Sequence, residues 1–430
     1  LELDMLRETA IFGKFTSQKQ FFERIENVVN ELSDADLSST LDAFYQSLEN
    51  LSLAPHDVPT RINAVEAAEK LADVFHIMDT GLTQARQAAD REIRDTAAMI
   101  NSSLTRIAEL NLEITKSEGG SQADPANALR DERRKLLGEL SDIMNVTTSE
   151  QSNGSVIVQT NGRVMILNGE VRMVKTVLTG STTQVQWEND NAYVKPDAGR
   201  LSGLLDMRDK VLKEKTDTLD LLARDLAWVF NSVHNQGRGL DGLKSVVAET
   251  RVDGNFQDKA LDIAAVDSLS IGNHYKPQNG TLTIEVRNEV TGDIVDSSVD
   301  VTLVGDNKTS LIQLKDNLNQ IDNLTVIIDV FGRLTMKSAE GYSFFIKEDT
   351  SRVSSFLGLN NFFSGGGAAS FNVNDTIKNN ARLVAAGKSA APGDNANMAA
   401  MILTRDTKVS GSYTVFESYQ NFVSNISTEA

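Results

Sequence analysis

Ile93-Arg-Asp-Thr-Ala-Ala-Met-Ile-Asn-Ser-Ser-Leu-Thr-Arg-Ile107 decides the fold. Ile93, Ala97, Ile100, Leu104 and Ile107 recur at steps of three and four, the period that lays one apolar stripe along a helix. From Pro59 to about Lys116 there is no further proline and a single glycine, Gly81, so the spacing predicts one uninterrupted helix. At the standard rise it would reach roughly 85 Å, which suits a rod better than a globule.

Outward from that rod the chain stays helical over 1–145. Leu37, Leu41, Phe44, Leu48 and Leu51 form a stripe behind the cap-type residues Asp34 and Asp36. The stretch 117–123, with paired glycines, breaks the long helix, and Asp124-Pro125 predicts a restart that points Leu129, Leu136, Leu140 and Ile143 one way. The period then falls to two. Asn153-Gly154, Asn161-Gly162 and Asn168-Gly169 lie between short alternating runs, predicting tight hairpins in a β-meander over 146–194. Helical spacing returns at Leu204, Val211, Leu219, Leu222, Leu226 and Val233 and ends at Gly237 and Gly239, predicting a helix over 200–234.

Residues 252–365 have another texture. Runs at 281–286, 299–304, 324–330, 334–337 and 343–346 read as strands, with a helix at 311–318 and a hairpin tip at Phe331-Gly332. Their core would use Leu282, Ile284, Val301, Leu303, Leu311, Leu314, Val326 and Ile328. The glycine-rich 364–370 reads as a flexible exit. Phe416, Tyr419, Phe422, Val423 and Ile426 mark a last amphipathic helix. The expected fold is therefore α+β and multidomain. A helical-bundle rod has an outgoing limb at 1–251 and a returning limb at 366–430. The mainly β, ββαβββ-like segment 252–365 is inserted between them as an outward domain.

Composition narrows the function. Lys and Arg total 42 against 60 Asp and Glu, a net charge of -18, which argues against binding a nucleic-acid backbone. Zero cysteines remove thiolate catalysis and cysteine-ligated metals. No apolar run approaches the roughly 20 residues that cross a membrane, so a soluble chain without membrane insertion is expected. The chain begins and stops within helical patterns, so missing segments are expected at both ends.

Chemistry-bearing motifs are few. The four histidines, His56, His76, His234 and His274, lack companions at metal-ligand spacing, and neither HExxH nor GxSxG occurs. The carboxylates between Glu118 and Arg134 lack the spacing of a calcium loop. Gly393-Asp-Asn-Ala-Asn-Met-Ala-Ala-Met-Ile402 lacks the Lys-Ser/Thr pair of a phosphate-binding loop. It reads as a helix start, with Asp394 the N-cap and Met398, Met401 and Ile402 on one face. No catalytic, cofactor-binding or metal-binding residue is expected, and the protein is expected not to be an enzyme.

Five stretches carry a family resemblance. Leu41-Asp-Ala-Phe-Tyr-Gln-Ser-Leu-Glu-Asn-Leu-Ser52, followed by Pro55 and Pro59, is the first. The others are Asn127-Ala-Leu-Arg-Asp-Glu-Arg-Arg-Lys-Leu-Leu-Gly-Glu-Leu-Ser141, Gly199-Arg-Leu-Ser-Gly-Leu-Leu-Asp-Met-Arg-Asp209, Leu222-Ala-Arg-Asp-Leu-Ala-Trp-Val-Phe-Asn-Ser-Val-His234 and Gly393-Asp-Asn-Ala-Asn-Met-Ala399. In order, they resemble the flagellar hook-associated protein 1 family, the hook-filament junction branch of the flagellin and hook-associated superfamily. Residues 281–360, ending Phe356-Leu-Gly-Leu-Asn360, look like the insertion module shared across that superfamily. The family's terminal segments, which pair as coiled helices, are not matched.

The resemblance implies an extracellular structural part of the bacterial flagellum, exported by the flagellar type III pathway without a cleaved signal and needed for filament assembly and motility. It implies self-association in the axial structure, contacts with hook protein and a second hook-associated junction protein, and an export chaperone acting on a C-terminal segment. This chain alone is expected to be monomeric. The competing expectation is a secreted adhesin or cap-like tip protein that binds through the β-rich segment, for which exposed aromatic clusters would be the sign.

Overall fold

A computed structural model describes residues 2–30, 36–118, 126–167, 169–263, 275–305, 308–409 and 412–429. The chain begins with helices α1 (Glu2–Asn30), α2 (Leu37–Leu53), α3 (Val58–Glu118) and α4 (Asn127–Ile143). Strands β1 (Thr147–Glu150), β2 (Val156–Thr160), β3 (Arg163–Leu167), β4 (Glu170–Val171), β5 (Val174–Thr179) and β6 (Thr182–Trp187) follow. Helix α5 (Arg200–Asp206) runs through a π-helical turn (Met207–Val211) into α6 (Leu212–His234). Then come β7 (Ser245–Val247), β8 (Gly280–Asn288), β9 (Ile294–Val301), α7 (Leu311–Leu318), β10 (Leu324–Ile328), β11 (Leu334–Ser338) and β12 (Tyr342–Asp349). The later elements used below are β13 (Phe363–Ser364), β14 (Asn372–Val373) and α8 (Ala396–Ile402).

The chain forms two compact units. The first comprises Leu1–Glu31, Thr80–Asp217 and Val423–Ala430. Here α1 packs against α4 and α5. The stripe Ile93, Ala97, Ile100, Leu104 and Ile107 is buried as the spacing requires. On α4 the buried positions are Arg133, Leu137, Leu140, Ser141 and Ile143. Leu129 and Leu136, expected inside, are only half-buried, because Arg133 takes the inward place one turn before Leu137. The break at 119–125 and the expected Asp124-Pro125 start lie outside the described residues, as does Asp34, while Asp36 caps α2 through Ser39 N at 2.6 Å. The region expected as one meander is two pieces, a four-stranded sheet in the order β1-β2-β3-β4 and a separate hairpin β5-β6. Asn161 and Gly162 both take positive φ, 47° and 78°, as a two-residue hairpin turn demands. Asn168 lies outside the described residues.

The second unit comprises Leu32–Asp79 and Thr218–Phe422. The antiparallel sheet β12-β8-β9 and the sheet β10-β11-β7 lie within it, and α7 starts on a capping box formed by Ser310 and Gln313. The helix at 311–318 falls where the sequence places it, and Phe331-Gly332 is the expected hairpin tip. Strand β7, which precedes the expected insertion, pairs with β11. The segment 364–370, read as a flexible exit, is instead built into the unit. β13 pairs with β14, and Ala368 N donates to the Asp220 carboxylate at 2.7 Å. Glycine content signals permissive backbone, and here that permissiveness lets the chain approach a neighbour rather than wander.

Candidate functional site

Several polar residues of the quoted stretches, among them Arg133, Arg208, Asn231 and His234, become internal fixtures. In the first unit, three polar positions of α3 hold the β segments. Asp90 accepts from Thr183 N and Thr183 Oγ1, both at 2.7 Å. Asn101 makes a two-bond clasp with Val174, donating to its carbonyl at 2.7 Å and accepting from its N–H at 2.8 Å. Asn111 makes the same clasp with Val156, at 2.9 and 3.0 Å. The spacings, 11 and 10 residues, are close to three helical turns, so the three residues share a flank of α3. Each amide completes a strand start whose backbone would otherwise be buried unpaired.

Around these clasps stand arginines. Arg133, 4% exposed, donates to the Asn111 side chain at 2.9 Å and to the Gly154 carbonyl at 2.8 Å. Arg130 pairs with Glu118 at 2.7 Å and also with Glu150, and the Arg130 guanidinium beside it pulls Glu118 down to about 2. Arg208, in the π-helical turn, is fully buried and donates to Asp90 at 3.0 Å, the Thr183 carbonyl at 2.5 Å and Asp209 at 2.7 Å. The glycines of the same stretch permit this approach. Gly199 has φ 89°, and a Cβ there would sit 2.4 Å from the Ile143 carbonyl oxygen. A Cβ on Gly203 would meet the Lys14 carbonyl oxygen at 2.6 Å.

In the second unit Phe44, Phe230, Phe362, Phe363 and Phe371 form a chain of rings with neighbouring centroids 4.7 to 6.0 Å apart. Asn231 fixes their backbone, accepting from Phe362 N and Phe363 N at 2.9 Å and donating to the Phe363 carbonyl at 2.8 Å. His234 is wholly buried between these rings and the returning chain. Its Nε2 accepts from Ala385 N at 3.0 Å, so its Nδ1 carries the proton and donates to the Asn360 carbonyl at 3.0 Å. Burial pushes the imidazole pKa down to about 4, and protonating Nε2 would set two N–H groups face to face.

Because that folded pKa lies below the unfolded one, His234 contributes stability above pH about 6.5 that is lost as pH falls towards 4. Wild-type protein is expected to lose about 3 kcal/mol over that window relative to His234→Gln. Parallel pH dependences in denaturant titrations of the two proteins would refute this assignment.

The Gly393 stretch starts a helix, but Asp394 is not its cap residue. Asn395 holds that position without a side-chain cap bond. Asp394 instead ties a loop together. Its Oδ2 accepts from Lys388 N at 3.0 Å, Ser389 N at 2.6 Å and Ser389 Oγ at 2.6 Å, and its Oδ1 from Ala396 N at 2.9 Å. Burial would raise its pKa, yet the bonds from Ser389, Ala396 and Lys388 bring it down to about 2. Both oxygens accept, so asparagine cannot stand in. Asp394→Asn and Asp394→Ala are each expected to cost about 1–3 kcal/mol. A harmless Asp394→Asn in thermal melts would restore the simple capping role.

The hydroxyl–carboxylate pairs of these clusters, Thr183 with Asp90 and Ser389 with Asp394, have carboxylates that also accept from backbone amides, and among the described residues no group of three or more metal-ligating side chains occurs. His234 has both nitrogens engaged by backbone, His56 and His76 stand elsewhere, and His274 lies outside the described residues. No described helix is long and apolar enough to cross a membrane. Sequence reasoning missed the clasps at Asp90, Asn101 and Asn111, although their three-turn spacing on an apolar helix was a usable signal.

Comparison with known proteins matches these features. The family described as the flagellar hook-associated protein FlgK helical domain matches residues 22–246. Flagellar hook-associated protein 1 of Salmonella typhimurium is 30% identical over 239 residues, covering 52% of this chain and 42% of that protein. The namesake of Bacillus subtilis is 25% identical over 260 residues, covering 52% and 50%. That of Escherichia coli K12 is 26% identical over 394 residues, covering 83% and 70%. The chain thus spans less than half the length of its Salmonella relative. The flagellar hook junction protein FlgK of Burkholderia pseudomallei shares the fold, with TM-score 0.63 over 100% of this chain and 95% of that one at 14% identity. Four of the five quoted stretches fall wholly inside the matched 22–246, and with that match the chain belongs to the FlgK family of flagellar hook-associated proteins.

Proposed function

We propose that the protein is a structural, non-enzymatic component of the bacterial flagellum that joins hook to filament. The observation that carries this reading is the family match over 22–246, a span that contains Asp90, Asn111, Arg133 and Arg208 and their buried bonds. Its partners in this reading are further copies of itself, hook protein and a second hook-associated junction protein. Export follows the flagellar type III route, with a chaperone engaging a C-terminal segment. The segment 252–365 is the part presented outward between the limbs 1–251 and 366–430. The adhesin alternative gains little, since the exposed large aromatic of 252–365 among the described residues is Phe331, a single ring beside Arg251 and Arg333 rather than an aromatic cluster.

A strain lacking the gene is expected to bear hooks without filaments and to shed flagellin into the medium, with filaments restored by the intact gene. Full-length filaments on the deletion strain, with or without a loss of surface attachment, would overturn the junction reading.

A further inference from the structure

An arginine-lined cleft in the second unit has no role in the clasps described above. Arg61, Arg238, Arg287 and Arg382 line a cavity of about 170 Å³ closed on one side by the loop 387–394. That space holds about five waters at liquid density, enough for one oxyanion group.

The four cations are unequally neutralised. Arg61 is 1% exposed and is bonded to carbonyls rather than to a carboxylate, donating to Pro55 at 2.7 Å and to Val384 at 2.6 Å. Arg238 is 5% exposed, and only its Nη1 is bonded, to Glu285 at 2.7 Å, while its buried Nε lacks a partner. Arg382 shares Asp241 at 2.9 Å. Arg287, half-buried on β8, makes no side-chain hydrogen bond or ion pair among the described residues. Asp394 is the carboxylate at the cleft wall, and the amides and hydroxyl of Lys388, Ser389 and Ala396 already occupy its oxygens. A chain of net charge -18 thus gathers four arginines around one small hollow and leaves Arg287 without a bonded partner among the described residues. Leaving a buried charged donor unmatched is costly, and planar guanidinium forks fit carboxylate and phosphate oxygens.

We propose that this cleft binds a single oxyanion group, a carboxylate or phosphate, with Arg287 and Arg238 as the principal donors and Arg61 and Arg382 supplying the surrounding positive field. The group comes either from an acidic side chain of another protein chain or from a free oxyanion. Calorimetric titration of the full 430-residue chain with inorganic pyrophosphate and with a hexaglutamate peptide, at low salt, separates the two sources. Saturable one-to-one binding of at least one probe is expected. Arg287→Ala, whose side chain holds no structural bond, should keep the wild-type melting temperature and weaken that binding at least about tenfold, with Arg287→Lys falling between. Binding of the peptide alone would assign a protein carboxylate, and binding of pyrophosphate alone a free oxyanion. Absence of saturable binding by either probe, or a smaller loss in Arg287→Ala, overturns the site.

Discussion

Replacing Arg208 by alanine is expected to destabilise the protein by about 3–5 kcal/mol, one of the two largest single-residue effects anticipated here. The guanidinium is the fully buried cation of the Asp90 clasp, 3.0 Å from the carboxylate. Alanine would leave the Asp90 carboxylate, whose side chain is 11% exposed, facing only Thr183 and the partly exposed Arg94 at 2.5 Å. It would also orphan the Thr183 carbonyl. Arg94 softens the loss without cancelling it, since a surface guanidinium is screened by water. Removing both charges should be far milder, so Arg208→Met with Asp90→Asn is expected to recover most of the stability. Burial favours the protonated form of Asp90, but its bonds from Thr183 and Arg208 hold the pKa below the usual carboxylate range. That stability is present above the ordinary pKa and fades as pH falls below it, and Arg208→Ala should flatten this dependence. Urea titration showing a loss under about 1 kcal/mol would mean that the pair is incidental.

Phe44→Ala should cost a similar amount, about 3–5 kcal/mol, in the second unit. Phe44 is fully buried, and its ring lies 5.3 Å from Phe230, 6.0 Å from Phe362 and 5.5 Å from Phe363. These neighbours are themselves fixed, two of them by the bonds of Asn231 to their backbone, so the vacancy cannot close by local collapse. Phe44→Leu, which keeps most of the volume, is expected to cost under about 1.5 kcal/mol. Near-equal melting temperatures for the alanine and leucine variants would show that the ring cluster repacks, contrary to this account.

The two results bear on which parts of the fold were readable beforehand. The long helix was plain because its signal is local and repeated. An apolar residue every three or four positions and the absence of proline gave Val58–Glu118 almost to the residue. The hairpin turn at Asn161-Gly162 and the capping-box helix at Leu311–Leu318 were plain for the same reason.

Less visible was what each polar residue faced. Asp394 looked like an N-cap because a carboxylate before an apolar run usually is one, yet its partners include amides five and six residues upstream. Leu136 and Leu137 are neighbours on one helix, and only the packing of α4 chooses Leu137 for the interior. The glycine-rich 364–370 gave no hint that Asp220, some 148 residues earlier, would receive the amide of Ala368.

By itself the sequence determined the helical periodicity, the tight turns, the lack of cysteine and the family stretches, all of which are short-range patterns that any neighbouring residues can express. Tertiary structure alone decided that Arg208 meets Asp90 across 118 positions, that Arg238 meets Glu285 across 47, and that Phe44 meets Phe362 and Phe363. The physical reason is that burying a charge or a ring is favourable only with its partner in place, and that partner is chosen by the packing of whole elements.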